Sequence, residues 1–114
     1  MWSFTRDGFF SAVQDDSCSA SEVRVRARVK RDIKRLVAKI GKLDCDIKNL
    51  PQPSYRYQIT LTKQEWANYL SAEAMNLDYA NVRDTITDGL YERSAAYYAC
   101  WNAMYQFQEE TAGV

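Results

Sequence analysis

Arg24, Arg26 and Arg28 stand at alternate positions in the stretch from Glu22 to Val29, interleaved with Val23, Val25, Ala27 and Val29. A strict period of two is the signature of a half-buried strand, so the three guanidinium groups project from one side at about 6.5–7 Å intervals. Such a row suits a series of anions, either the phosphates of a nucleic acid strand or the carboxylates of an acidic protein surface. Lys34 and Arg35 follow on the next element and extend the basic block, completing a candidate partner-binding set of Arg24, Arg26, Arg28, Lys34 and Arg35. From Arg24 to Lys42 there are nine basic residues and one acid, Asp32. From Gln64 to Val114 eight carboxylates face only Arg83 and Arg93. The 114-residue chain balances fifteen basic against fifteen acidic side chains, so its charge is neutral in sum and polarised in distribution. The competing reading of the basic block is a solvated surface, the usual fate of a charge run.

Catalytic chemistry finds little support. The chain has no histidine, which removes the commonest general acid–base and the commonest metal ligand. None of the glycine-rich phosphate loops or the nucleophile-elbow pattern occurs, and only four glycines are present. Cys18, Cys45 and Cys100 are odd in number and widely spaced, which fits reduced thiols better than a disulfide framework or a zinc site. Cys100, among Tyr97, Tyr98 and Trp101, reads as a small core residue. Asp44 with Asp46, or Asp84 with Asp88, could offer at most a weak oxygen site for a cation. The expectation is a non-enzyme with no cofactor and no metal.

The elements that must position the arginines can be read from periodicity. Trp2 to Thr5 and Phe9 to Gln14 read as a hairpin around Asp7-Gly8, a dipeptide that supplies the backbone freedom a tight turn needs. Glu22 to Val29 is the third strand. Ile33, Leu36, Val37 and Ile40 fall at helical spacing, and Gly41 stands where a helix would end. Leu43 to Pro53 reads as a loop. Tyr55, Tyr57, Ile59 and Leu61 share one face of a further strand, with Arg56, Gln58 and Thr60 on the other. Thr62-Lys63-Gln64-Glu65 matches a capping box, predicting a helix from Lys63 to about Asn76 that buries Trp66, Leu70 and Leu77. Asp78 is placed as the cap of a short helix with Val82 and Ile86 inward, ending near Gly89. A last helix from about Glu92 to Gln108 carries Tyr98, Trp101 and Tyr105 on one stripe.

This order predicts a single α+β domain over residues 1–114. The expected fold is a two-layer sandwich: a small antiparallel or mixed sheet with helices on one face, ferredoxin-like in its middle, and a C-terminal helical segment. The open face should then present Arg24, Arg26, Arg28, Arg56, Gln58 and Thr60 together. Whether the first strand joins this sheet stays open. Aromatic residues make up 13% of the chain, and their spacing predicts a tyrosine-rich core. Tyr91, Tyr97 and Tyr105 cannot all lie on one side of their helix, which leaves some for an interface. The arginine face offers few aromatics: Phe10, if its parity places it there. No apolar run is long enough for a membrane span, and no secretory pattern opens the chain, so the expected location is cytoplasmic.

The segments MWSFTRDGFFSAV, VRVRARVKRDIKRL, YRYQITLT, LDYANVRDTI and CWNAMYQF together resemble a family of small, uncharacterised bacterial and phage proteins. Members open Met-Trp, continue Gly-Phe-Phe-Ser and close on a Trp-containing helix. The resemblance implies a bacterial or phage-infected host cell and favours a regulator or an inhibitor of host defence; it assigns no residue a role. Together these readings favour a small binding protein that engages an acidic protein surface through its basic strand and helix. A nucleic acid held by the same arginines is the alternative, and a homodimer stays open.

Overall fold

The computed structural model describes residues 1–42, 47–50, 54–87, 89 and 91–113. They fall into two compact units, Met1–Asp78 and Tyr79–Val114. In the first unit, strands β1 (Trp2–Thr5), β2 (Gly8–Val13), β3 (Glu22–Ala27), β4 (Lys48–Asn49) and β5 (Tyr57–Thr62) form one sheet in the order β1-β2-β3-β5-β4. Every pairing is antiparallel. Helices α1 (Lys30–Ile40) and α2 (Lys63–Met75) pack against one face, giving the α+β two-layer sandwich that the periodicity predicts.

Two details of topology depart from expectation. The strands flanking α1, β3 and β5, pair with each other directly. A ferredoxin-like unit would place another strand between them, so that arrangement does not form. The stretch read as a loop also contains β4, two residues that add an edge next to β5. Neither Lys48 nor Asn49 is a strong strand former, and so short a segment leaves no periodicity to read. The first strand does join the sheet, as its β1 edge.

The core follows from parity. Phe10, Ala12, Val23, Val25, Ala27, Ile59 and Leu61 point from the sheet onto Ile33, Leu36, Val37, Trp66 and Tyr69 of the helices. Helix α1 ends at Gly41, whose left-handed φ of 77° lets the amides of Gly41 and Lys42 bond back to the carbonyls of Ala38 and Val37. Helix α2 starts with the predicted capping box. The Glu65 amide donates to Thr62 Oγ1 at 3.0 Å, and the Thr62 amide donates to Glu65 Oε1 at 2.8 Å. Trp66 is buried as expected and Leu70 partly so, whereas Leu77 lies beyond the helix and is exposed.

The second unit holds a 3₁₀ turn, Val82–Thr85, and helix α3, Tyr91–Glu110. Asn81, rather than Asp78, caps the turn, its side chain accepting from the Arg83 amide. Asp78 instead pairs with Arg6. The tyrosine-rich core is corrected here. Tyr69 and Tyr97 are buried, but Tyr91, Tyr98 and Tyr105 are exposed, as is Cys100. Of α3, Arg93 and Tyr97 are buried, Ser94 is half-buried and the remaining residues are exposed, as for a helix with apolar residues all around that buries one side. Among the described residues no helix is long and apolar enough to cross a membrane. Cys45, Asp44, Asp46, Asp88, Pro51 and Pro53 lie outside the described residues.

Candidate functional site: the open face of the sheet

Strand alternation that buries Val23, Val25 and Ala27 turns Arg24, Arg26 and Arg28 to the opposite face, which no element of the first unit covers among the described residues. Register carries this face across the whole sheet. Lys48 pairs with Gln58, Gln58 with Arg26, Arg26 with Ser11, and Ser11 with Trp2. One rung therefore crosses all five strands, from a cation on the β4 edge to an indole on the β1 edge. A second rung joins Thr60, Arg24 and Val13.

Aromatic side chains border the arginines on both sides. Phe10 is not among them; it is fully buried in the core, and the residue facing the arginines is its neighbour Phe9. The Phe9 ring meets Phe4 at 4.7 Å between centroids and Trp2 edge-on at 6.1 Å. Trp2 is 73% exposed and Phe4 39%. Alternation in the sequence puts Tyr55 on the core face with Tyr57, Ile59 and Leu61, yet it precedes the first residue of β5 and escapes the strand's parity. Its ring lies 4.4 Å from the Arg26 guanidinium and 4.3 Å from that of Arg28. Cation–π stacking of this kind orients both planar groups against the ring.

Each arginine has a defined tether. Arg24 forms a forked pair with Asp15, at 3.0 and 3.3 Å. The Ser17 hydroxyl and amide bond Asp15 first, and Arg24 and Arg26 add their charge, so the Asp15 carboxyl is held below the ordinary range. Arg26 donates to Ser11 Oγ at 2.8 Å, while its Nε is buried with no hydrogen-bond partner among the described residues. Arg28 donates to the Ser54 carbonyl.

The five basic residues named from the sequence do not share one surface. Lys34 is exposed on α1, in the opposite layer from the arginine row. Arg35, also on α1, is half-buried and donates to the Asp7 carbonyl at 3.4 Å. A helix whose stripe Ile33–Ile40 packs on the core side of the sheet cannot bring its charges to the other side, so the expected strand-plus-helix face divides into two.

A polar hub missed by the sequence reading lies under the β1–β2 turn. Tyr69 donates to Asp7 Oδ2 at 2.7 Å and lies 2.9 Å from Thr5 Oγ1. Lys39 bridges Asp7 at 2.8 Å and Glu73 at 2.7 Å. Burial pushes the Tyr69 phenol far above its ordinary value, so it remains a donor. Burial alone would lower Lys39, but its bonds to Asp7 and Glu73 outweigh it and raise the ammonium above its usual value. Beside this hub is a cleft of about 270 Å³ between α1 and α2, lined by Lys39, Glu65, Asn68, Tyr69 and Glu73. Its charged groups are already matched within the protein, Lys39 to Glu73 and Glu65 to Lys42. The hub thus ties the hairpin to both helices. Only the residue types could have hinted at it, since Asp7 and Tyr69 are 62 positions apart.

Helix α3 carries the predicted stripe as a ladder of stacked rings, Tyr98 on Trp101 at 5.8 Å and Trp101 on Tyr105 at 5.5 Å. Arg83 lies over the first two rings. No protein-family model, no curated protein and no solved structure matches the chain.

Proposed function

We propose that the chain is a non-enzymatic binding protein whose open sheet face holds a nucleic acid, with Arg24, Arg26 and Arg28 against its phosphates. The observation that carries this reading is the rung Lys48–Gln58–Arg26–Ser11–Trp2, which places two cations and an exposed aromatic on the same face of the sheet. Phosphates account for most of the affinity of such complexes, and guanidinium forks match their geometry. Neutral net charge is no obstacle, because the acids are concentrated after Gln64 and the basic block precedes it.

An acidic protein surface is the second reading. The exposed Tyr98–Trp101–Tyr105 ladder favours it, since tyrosine, tryptophan and arginine are the usual anchors of protein interfaces.

Fluorescence anisotropy with labelled DNA and RNA separates the two. With three or four phosphate contacts, affinity should fall about 20- to 50-fold for a single strand and about 40- to 150-fold for duplex DNA between 50 and 200 mM salt. The double variant Arg24→Glu/Arg26→Glu should bind no nucleic acid, with circular dichroism confirming that it is folded. Absence of binding at the lower salt would reject the nucleic acid and leave the protein partner.

A further inference from the structure

We propose that α3 is the interface of a homodimer, in which the Tyr91–Tyr98–Trp101–Tyr105 seam of one copy packs antiparallel against the same seam of a second. The starting observation is a gap in charge. Glu92 and Arg93 stand at one end of the helix and Glu109 and Glu110 at the other, and the residues from Ser94 to Gln108 between them carry no charged side chain. A helix that is apolar all round is ordinarily covered. Among the described residues of its own unit, the only other element is the short 3₁₀ turn. Arg83 of that turn lies over the rings of Tyr98 and Trp101 and still leaves them 52% and 50% exposed. Tyr91, Met104 and Tyr105 are exposed as well.

The spacing identifies what fits there. Tyr91, Ser94, Tyr98, Trp101, Tyr105 and Gln108 follow one another at alternating intervals of three and four residues. Such alternation keeps one narrow face turned toward a neighbouring helix, the geometry of a coiled-coil seam. The seam runs about 26 Å along the axis, so its natural mate is a helix of equal length with the same repeat. A strongly acidic or basic partner would find no opposite charge between Ser94 and Gln108 to meet. A second copy of α3 matches on both counts. In an antiparallel pair centred between Tyr98 and Trp101, Tyr98 meets Trp101 of the second copy, Tyr105 meets Ser94 and Tyr91 meets Gln108. The relation is reciprocal, as a two-fold axis requires, and two of the three layers set a large ring against a smaller side chain. A parallel pair would instead oppose each ring to its own twin and bring the Glu109 and Glu110 carboxylates of the two copies together.

The area is sufficient. Aromatic side chains bury about 150–250 Å² each when covered. Half or more of this remains exposed on Tyr91, Tyr98 and Trp101. With Tyr105 and Met104 beside them, a pair would remove about 1,000–1,500 Å² from water, at or above the roughly 1,000 Å² of a specific interface. The inference does not depend on what the sheet holds.

Sedimentation velocity on the full chain from about 1 to 100 μM tests it. The 13.2 kDa chain should reach about twice its own mass at the upper end. Trp101→Glu should raise the dissociation constant at least about thirtyfold, with circular dichroism confirming the helix. Tyr105→Lys, at a 45% exposed side chain, should do the same and serves if the first variant does not fold. Orientation is read with Cys18, Cys45 and Cys100 replaced by serine. Under oxidant, Tyr91→Cys/Gln108→Cys should form a covalent dimer on a denaturing gel and Gln108→Cys alone should not. A wild-type chain that stays monomeric over the whole range, or a folded Trp101→Glu or Tyr105→Lys variant that dimerises like wild type, would overturn the proposal. Any other cross-linking pattern would overturn the antiparallel pairing on which it is built.

Discussion

Removing one oxygen atom should show how much of the first unit depends on the hub beneath the hairpin. Tyr69→Phe keeps the ring, which is buried between Trp66, stacked at 5.6 Å, and Phe10, met edge-on at 5.9 Å. The apolar burial therefore survives, and only the hydroxyl is lost. Its bond to Asp7 Oδ2 at 2.7 Å goes to a carboxylate, a class worth about 1.5–3 kcal/mol, and its contact with Thr5 Oγ1 at 2.9 Å is a neutral one worth about 1 kcal/mol. Partial compensation is available. Asp7 keeps Lys39 at 2.8 Å, and Thr5 Oγ1 still accepts from the Asp7 amide at 3.1 Å. The net loss should be about 2–3 kcal/mol, a fall in Tm of roughly 10–20 °C for a unit of this size. Urea unfolding followed by circular dichroism reads this directly, as a lower midpoint at unchanged slope. The isosteric partner Thr5→Val closes a double-mutant cycle, and a coupling of at least about 0.5 kcal/mol is expected for groups in contact. A Tyr69→Phe loss below about 0.5 kcal/mol would refute the reasoning and show that the hub is a by-product of packing.

Gly8→Ala should be among the most damaging single changes, because an added Cβ would lie 2.1 Å from Asp32 Cγ, whose side chain is buried and accepts from the Phe9 amide. Relief requires moving a buried carboxylate or the turn, at a cost of about 3 kcal/mol or more, measurable in the same urea titration. Asp15→Asn should strengthen nucleic-acid binding a few-fold in the anisotropy assay, since Asp15 occupies the fork of Arg24 where a phosphate would sit. Stability should form a broad plateau in a pH series followed by thermal melts. Asp15, Glu22 and Glu65 are held below their ordinary values of 3.8, 4.5 and 4.5, so their contributions are present above those values and are lost as acid protonates them. Lys39 is raised above 10.5, so its contribution is complete below that pH and is lost only as alkali takes it through its folded value. With no histidine in the chain, no histidine-driven step should appear near neutrality.

What the sequence made legible was whatever depended on local repetition. The period of two in β3, the helical stripe of α1 and the Thr62–Glu65 box are each set by neighbours within a turn or a strand, and each is found where the spacing puts it. The errors arise where a long-range partner decides. Phe9 and Phe10 are adjacent, and only the pairing of Phe4 with Phe9 and of Ser11 with Arg26 settles which ring faces the arginines. Tyr55 continues the alternation of β5 in sequence but lies outside the paired strand, so the ladder no longer fixes its side. Lys34 and Arg35 seemed continuous with the arginine row because they are close in sequence, but a helix packed on the core side carries them to the other layer. Tyr69 and Asp7 could not be joined at all without the fold.

The arginine row has one competing physical explanation, the protection of an uncovered sheet from pairing with other chains. Protection belongs on edges, where backbone donors and acceptors are unpaired. Here the edges are β1, four residues, and β4, two residues, and Lys48 on β4 is the kind of charge that blunts such an edge. Arg24 and Arg26 lie on β3, the central strand, whose backbone is paired on both sides by β2 and β5, and Arg28 follows just past its end. Three guanidinium groups there guard no open hydrogen bonds. Like charges at this spacing repel, and Asp15, Tyr55 and the Ser54 carbonyl act against that repulsion. A solvated sheet face needs polar side chains, and threonine or glutamine, as at Thr60 and Gln58, would serve without repulsion. On the nucleic-acid reading, an anion bound against the row would relieve the repulsion. Arg24→Gln/Arg26→Gln/Arg28→Gln should accordingly raise the melting temperature of the free protein while abolishing its binding of oligonucleotides. A variant that loses stability instead would show the row to be structural.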